Sequence, residues 1–465
     1  MKRLFLLLLS TILFSACANK SMTRYEALAP ALEKKGFEGA IEKVVKEEKD
    51  LYGSNSQFLY YFDLGVLHHY NRNFDESIKN LAKAEKIYED LYTKSVTNEA
   101  AALATNDNVR PYRARPFELL TMYQFQILNY LAKMDIDGAL VEVKRSQIAM
   151  NALYQKDKDK VNDNGLLRYL SALVYELDGS VDDAAISYVN TVKAYKEGKL
   201  SLPGEVLEFV TESLKRNERE NQLNSLNVSI PPGTPKATAV QELGQEIVVV
   251  GYAGHSPILG ELYMQGTFVS GGALNLSYKD GETGRMSSLT LIAPPVAGGS
   301  GNTFHIGFAL PEIRKIPSHV ARFEVTLDNQ KGIFPEKVMD VGSELAQNME
   351  NEKTSTILRT ATRVAVRTIA AQKAKGATNT GNPLIDLLKN LFVDVGQSQL
   401  EQADLRVGLF LPNSFHMTRI PVEAGTHKVS VAALNSYGNV VELFDFKTIQ
   451  VKKGQKVFLF VPSIR

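Results

Sequence analysis

The chain has 465 residues, of which 44% are hydrophobic and 23% charged, an ordinary globular composition with room for two or three domains. Its 53 Lys and Arg residues nearly balance its 52 Asp and Glu residues, which excludes a bulk electrostatic attraction to nucleic acid. Cys17 is the single cysteine, so an intrachain disulfide and a thiolate metal cluster are excluded.

The first 16 residues have the pattern of a secretory signal peptide. Two basic residues precede an almost entirely apolar run at 4–14, and two small residues at 15 and 16 precede Cys17. A helix that spans a membrane needs about 20 apolar residues, so this run is too short to span. No later apolar run reaches that length, and we expect the rest of the chain to lie outside the bilayer.

This segment resembles the signal of bacterial lipoproteins, whose lipobox ends in a cysteine. The resemblance implies that Cys17 is acylated and becomes the first residue of the mature chain. Each buried CH₂ group contributes about 0.8 kcal/mol, so two or three acyl chains would hold the protein firmly. Ala18 stands where Asp would signal retention in the inner membrane, which implies the periplasmic face of the outer membrane. The alternative is an ordinary signal peptide with an incidental cysteine.

A helical half is predicted at 26–225, after a lipidated tether at 17–25. Its apolar residues recur at helical spacing, and turn residues divide the pattern into antiparallel pairs. The predicted pairs cover 60–84 with a turn at 71–73, 117–152 with a turn at 135–138, and 166–195 with a turn at 178–180.

The first of these pairs resembles a tetratricopeptide repeat. Gly65 and Ser77 supply small residues where the two helices of such a repeat approach closely. Stacked pairs bury their apolar faces against their neighbours and form a concave surface. We therefore expect the array to bind a protein or peptide, and a plain helical bundle is the alternative.

Two polar clusters in this half resemble metal sites, but we interpret neither of them as one. His68 and His69 are adjacent on a helix and cannot face the same way, so we expect His68 to be packed and His69 to be on the surface. The oxygen-rich loop from Asp157 to Asn164 lacks the glycine position and the closing glutamate of a calcium loop. A solvated linker is predicted there, and no metal or cofactor is expected.

A proline-rich hinge at 226–240 separates the helices from a β region at 241–339, which strands within 397–465 complete. The sequence predicts a hairpin turn at 452–455. His255 beside Ser256 is not expected to be a catalytic pair, because no nucleophile-elbow pattern surrounds the serine. The predicted strands are 246–252, 274–278, 289–292, 303–309, 320–327, 427–434, 447–451 and 456–461.

A helical insertion is predicted at 340–396, including a short apolar helix at 384–395. Arg359, Arg363 and Arg367 repeat every four residues and should lie along one face of this insertion. The row is a candidate surface for anionic lipid, cell-wall carboxylates or an acidic partner. The alternative is a solvated cationic face, or pairing with nearby acids.

The predicted fold is therefore multidomain α+β, with an all-α tetratricopeptide-like array followed by a mainly antiparallel β region with a helical insertion. This layout, with Ala403–Arg406 and Leu411–Pro412, resembles a bacterial envelope lipoprotein family that supplies no catalytic residues. The leading hypothesis is a non-enzymatic adapter in envelope assembly, secretion or cell-wall synthesis. One alternative is an envelope hydrolase acting on glycan or peptide, which would need paired carboxylates or a metal cluster. Another is a surface-exposed spacer or adhesin.

Overall fold

The computed structural model describes residues 20–93, 110–156, 163–198, 200–219, 221–222, 226, 244–281, 283–296, 301, 303–375 and 402–464. Within these ranges an N-terminal helical region is followed by mainly antiparallel sheets, so the α+β prediction is confirmed. Cys17, residues 227–240 of the hinge, the loop at 157–162 and the short apolar helix at 384–395 lie outside the described residues.

The helices alternate with short connections, and a long helix interrupts the β half, as predicted for 340–375. The described helices are Lys20–Lys46 (α1), Glu48–Leu51 (α2), Gln57–Tyr70 (α3), Phe74–Thr93 (α4), Pro116–Ala132 (α5), Ile136–Lys156 (α6), Gly165–Asp178 (α7), Val181–Glu197 (α8), Gly204–Arg216 (α9) and Val341–Lys375 (α10).

The pair α3–α4 packs closely, as the small residues predict. A Cβ atom on Gly65 would lie 2.4 Å from the Cδ2 atom of Leu81, so no larger residue fits without a shift. The hydroxyl of Ser77 donates to the carbonyl oxygen of Gly65 at 2.7 Å. The pairs α5–α6 and α7–α8 also lie where the sequence predicts them, and Gly179 closes α7 with a φ of +82°.

The predicted tether at 17–25 is wrong from Lys20 onward, because α1 begins there. Arg24 is buried, and its guanidinium donates to the carbonyl oxygen of Val407 at 3.2 Å. The start of α1 is therefore part of the packed structure.

Three four-stranded sheets form the β half, in the orders β12-β1-β9-β8, β11-β10-β6-β7 and β4-β3-β2-β5. We call them the central, second and outer sheets. Their strands are Glu246–His255 (β1), Ile258–Val269 (β2), Ala273–Lys279 (β3), Met286–Ile292 (β4), Thr303–Arg314 (β5), Arg322–Leu327 (β6), Gln330–Ile333 (β7), Glu336–Asp340 (β8), Pro412–Pro421 (β9), Gly425–Leu434 (β10), Val440–Val451 (β11) and Lys456–Ser463 (β12).

The predicted hairpin at 452–455 is wrong. Strand β11 pairs with β10 in the second sheet, whereas β12 runs parallel to β1 in the central sheet. The turn therefore carries the chain from one sheet to another. The reason lies in β12 itself: Phe460 packs into the core on the helical side, and Leu459 and Val461 pack into the core beside the second sheet. A strand that is apolar on both faces is stable only between two layers.

Three apolar cores follow from this layering. The largest joins the helices, one face of the central sheet and residues 403–411. A second lies between the central and second sheets, and a third lies between the outer sheet and α10. The helical half and the β half therefore share one core.

Candidate functional site

Residues 402–411, which we call the strap, run without regular secondary structure along helices α3 and α5. Two buried carboxylates hold its backbone. The N–H of Leu409 donates to Asp63 Oδ1 at 2.8 Å, and the N–H of Gly408 donates to Glu118 Oε1 at 2.9 Å. We call the side of α3 and α5 that carries these two acids the inner face of the helices, and the strap covers it.

The strap is held by donors as well as by acceptors. Arg115 Nη1 donates to the carbonyl oxygen of Arg406 at 3.0 Å, and Arg24 donates in the same way to Val407. These contacts bind backbone atoms, as a peptide groove would, but the peptide belongs to the same chain.

Arg406 anchors the beginning of the strap. Its Nε and Nη2 atoms bond to the two carboxylate oxygens of Asp404 at 2.8 and 2.7 Å. Its Nη1 atom donates to the carbonyl oxygens of Asn55 and Arg110 at 3.0 and 2.9 Å. The guanidinium also lies 5.2 Å from the ring centroid of Tyr112. Asp404 and Arg406, noted in the sequence, thus fix the strap to the helical half.

Burial makes the strap a permanent part of the core. Five apolar side chains, each worth roughly 1.5–3 kcal/mol when fully buried, contribute together on the order of 10 kcal/mol, as much as the net stability of a typical domain. A peptide from solution would have to displace all of them. They are Leu405, Val407, Leu409, Phe410 and Leu411.

A second buried polar cluster centres on Arg419 of β9, and we call it the Arg419 cluster. Its Nε atom donates to Glu246 of β1 at 2.9 Å, and its Nη2 atom contacts Glu176 of α7 at 2.7 Å. Lys456 of β12 contacts both glutamates. The guanidinium also lies 3.9 Å from the ring of Phe209 on α9. These residues tie helices α7 and α9 to three strands of the central sheet.

Burial and the neighbouring positive charges together set the pKa values of the glutamates in and beside this cluster. Burial alone would raise the pKa of Glu176, but the positive charges of Arg419 and Lys456 outweigh it and leave the pKa well below the ordinary value. Glu205 of α9 behaves in the opposite way. It accepts the N–H of Arg419 at 2.5 Å, and burial raises its pKa from 4.5 to about 8.

The prediction for His69 is wrong, because this side chain is fully buried, while His68 is only partly covered. The Nδ1 atom of His69 lies 2.7 Å from Asn129 Oδ1, and its Nε2 atom lies 2.6 Å from the hydroxyl of Tyr252 on β1. Burial lowers the pKa of His69 to about 4, so the ring is neutral. The central sheet covers the side of α3 on which the His69 ring lies.

The arginine row does not form one exposed face. Arg359 is exposed, whereas Arg363 and Arg367 are buried. Residues four apart advance by about 40° beyond one full turn, so the row rotates by about 80° between Arg359 and Arg367. It therefore runs from solvent into the protein, and two of its three members cannot meet a partner from solution.

His255 and Ser256 are both buried, and their geometry is structural. His255 Nδ1 lies 2.6 Å from the carbonyl oxygen of Ser256, not from its hydroxyl. The Ser256 hydroxyl points to the carbonyl oxygen of Pro257 at 3.4 Å. Burial also lowers the pKa of His255 to about 4.

Two further places among the described residues have two glutamates beside one arginine. Arg145 Nη1 lies 3.1 and 3.5 Å from the buried acids Glu85 and Glu142, and burial, then the charge of Glu85, raises the pKa of Glu142 to about 7. A cavity of ≈250 Å³ on the outer sheet includes Glu261 and Glu312, of which Glu312 pairs with Arg314 at 2.8 Å. Among the described residues, no three His, Cys, Asp or Glu side chains are grouped as metal ligands.

The end of the oxygen-rich loop is described from residue 163. Asp163 pairs with Arg168 at 3.0 Å, and Asn164 Oδ1 accepts the N–H of Leu167 at 2.9 Å, which caps α7. These two side chains therefore serve the start of a helix.

None of the helices in the described ranges combines the length and the apolar character needed to cross a membrane. Comparisons of the chain with protein-family models, with curated proteins and with solved structures find no match. The function of the chain must therefore be inferred from its own residues and their geometry.

Proposed function

We propose that this chain is a lipid-anchored, non-enzymatic adapter on the periplasmic face of the outer membrane. The sequence supports the anchor through the lipobox ending at Cys17. The setting would be envelope assembly, secretion or cell-wall synthesis. We also propose that the three helix pairs are degenerate tetratricopeptide repeats, an interpretation supported by the close approach at Gly65 and Ser77.

The partner would dock on the outer face of the helices, since the strap fills the inner face. The observation that carries this proposal is an exposed apolar row on α6. Val141 and Ile148 are seven residues apart and so lie on the same side of the helix, and Ile148 is 69% exposed. Lys144 and Arg145 flank them. Exposed apolar residues rimmed by polar ones are typical of protein-binding surfaces.

Two measurements test the proposal. Mass spectrometry of the mature N-terminus should find acylated Cys17, and a Cys17→Ser variant should lose the anchor. A cross-linked pull-down from solubilised envelope should recover a protein partner with the native chain and much less with Val141→Ser plus Ile148→Ser.

The matched control for the pull-down is Lys193→Ser, an exposed change on α8 that leaves Val141, Ile148 and their flanking residues intact. It should recover the partner as well as the native chain does. Equal recovery with the double variant and the control would refute docking at α6.

A further inference from the structure

The first folded residues lie close to the proposed lipid. Cys17 precedes the start of α1 at Lys20 by three residue steps, which span at most about 10 Å whatever path they take. Lys20 and Tyr25 are separated by about 7.5 Å of helix. The ring of Tyr25 lies 4.8 Å from the ring of His255 at the end of β1. If Cys17 carries acyl chains, they enter the bilayer beside this end of β1.

Several connections of the β half meet at the same end. A Cβ atom on Gly254 would lie 2.2 Å from Ser318 Oγ, which places the β5–β6 connection there. The N–H of Ala321 donates to the carbonyl oxygen of Leu434 at 2.8 Å, which adds the β10–β11 connection. We call residues 315–322, Phe334 and 435–441 the anchor-side end.

The anchor-side end exposes large apolar side chains. Tyr437 is 88% exposed, Val440 61% and Phe334 47%. The exposed cations Lys315 and Arg322 belong to the same end, and the Arg322 guanidinium lies 5.5 Å from the Phe334 ring. Aromatic and aliphatic side chains mixed with Lys and Arg are typical of surfaces that sit in the headgroup region of a bilayer.

The opposite end of the same sheets has a different character. There the N–H of Glu246 donates to the carbonyl oxygen of Gln455 at 3.2 Å, and the turn has the sequence Lys452-Lys453-Gly454-Gln455. Strand β1, of ten residues, separates the two ends by about 30 Å. Tyr437, Val440 and Phe334 are thus at the end nearest the proposed lipid, where burial in a membrane interface would stabilise them.

We propose that the anchor-side end lies against the membrane that holds Cys17, with Tyr437 and Val440 in the headgroup region and Lys315 and Arg322 near anionic lipid. This inference rests on the proposed lipid anchor. Two attachments, the acyl chains and the anchor-side end, would together give the body a fixed orientation. The turn at 452–455 would then be free of the membrane.

The chain offers a clean labelling experiment, because Cys17 is its only cysteine and acylation consumes that thiol. Full-length lipidated protein carrying Ser436→Cys receives a fluorophore next to Tyr437. A matched protein carries Lys453→Cys, an exposed position at the opposite end. Both are reconstituted in vesicles of phosphatidylcholine and phosphatidylglycerol that contain a nitroxide-labelled lipid, and vesicle flotation is measured together with quenching.

We expect both proteins to float with the vesicles and the label at 436 to be quenched several-fold more than the label at 453. Adding Tyr437→Ser and Val440→Ser to the Ser436→Cys protein should remove most of this difference without releasing the protein. Flotation with equal quenching at both positions would overturn the orientation while leaving the anchor intact. Failure to float would refute the lipid anchor, and the orientation would fall with it.

Discussion

The central sheet and the outer sheet each have four strands, but they are stabilised in different ways. The central sheet joins strands from distant parts of the chain, with β12 parallel to β1, and it is covered by helices on one face and by the second sheet on the other. The outer sheet is built from the consecutive strands β2 to β5, and α10 covers one face. Strands close in sequence can form a sheet locally, whereas the central sheet depends on the rest of the molecule.

Polar side chains follow the same division. The Arg419 cluster and the acids that hold the strap are buried around the central sheet, where they link helices to strands. The outer sheet exposes alternate residues of β4 to solvent, and the residues between them are only partly covered. The Arg419 cluster and the acids that hold the strap therefore lie where the two halves of the chain meet.

The largest expected effect comes from separating the halves. A fragment of residues 20–226 keeps helices α1 to α9 but loses the strap and the central sheet. Asp63 and Glu118 then lose their backbone partners, and the inner apolar face meets water. We expect circular dichroism to show no cooperative thermal transition for the fragment, in contrast to the full chain with Cys17→Ser. A sharp transition in the fragment would mean that the helical half is an independent domain.

A smaller loss is expected when one partner of the Arg419 cluster is removed. Arg419→Met leaves the buried Glu246 and the partly buried Glu176 with one cation fewer, and breaking a buried ion pair such as Arg419–Glu246 costs about 3–5 kcal/mol. The matched control is Arg359→Met, an exposed change for which about 0.5 kcal/mol or less is expected. Urea unfolding measures both.

Hydrogen exchange sharpens the same comparison. Amides of β1 and β9 should lose more protection in Arg419→Met than amides of β3 and β4, because the latter belong to a separate core. If urea unfolding shows equal losses of unfolding free energy for Arg419→Met and Arg359→Met, the buried cluster contributes no more than a surface charge.

A further expected effect is a change in pH dependence through Glu205. Its pKa is about 8 in the folded chain, against an ordinary value of 4.5, so the folded state keeps a proton that the unfolded state releases between these values. This contribution is full below pH 4.5 and is lost as the pH rises to about 8. Glu205→Gln removes the titration and should lose less unfolding free energy between pH 5 and pH 8 than the native chain. Parallel profiles would contradict the assignment.

Much of the local structure could be predicted from the sequence. Helical periodicity located α3 to α8, and the small residues Gly65 and Ser77 indicated where two helices touch. The β-branched run at 246–252 located β1, and alternation located β10. Strand β9 was missed because Ser414, His416, Thr418 and Arg419 make it look polar, although all four are buried.

The candidate sites were harder to predict than the elements. The arginine row was identified correctly as a helical repeat, but its burial depends on how α10 lies on the outer sheet. The strap carries no periodic signal, since it is held through backbone groups that every residue has. Its lone cue was the Asp404–Arg406 pattern, which does not reveal its partners.

The sequence by itself determined where helices and strands form, because periodicity, turn residues and small residues act over a few neighbours. It also supplies Cys17 and the segment before it that resembles a lipobox, on which the proposed anchor depends. The tertiary structure alone decided that the inner face of the helices is filled, that His69 is buried and that β12 joins β1. Those outcomes depend on contacts between residues far apart in the chain, and complementary packing selects such contacts without leaving a local pattern.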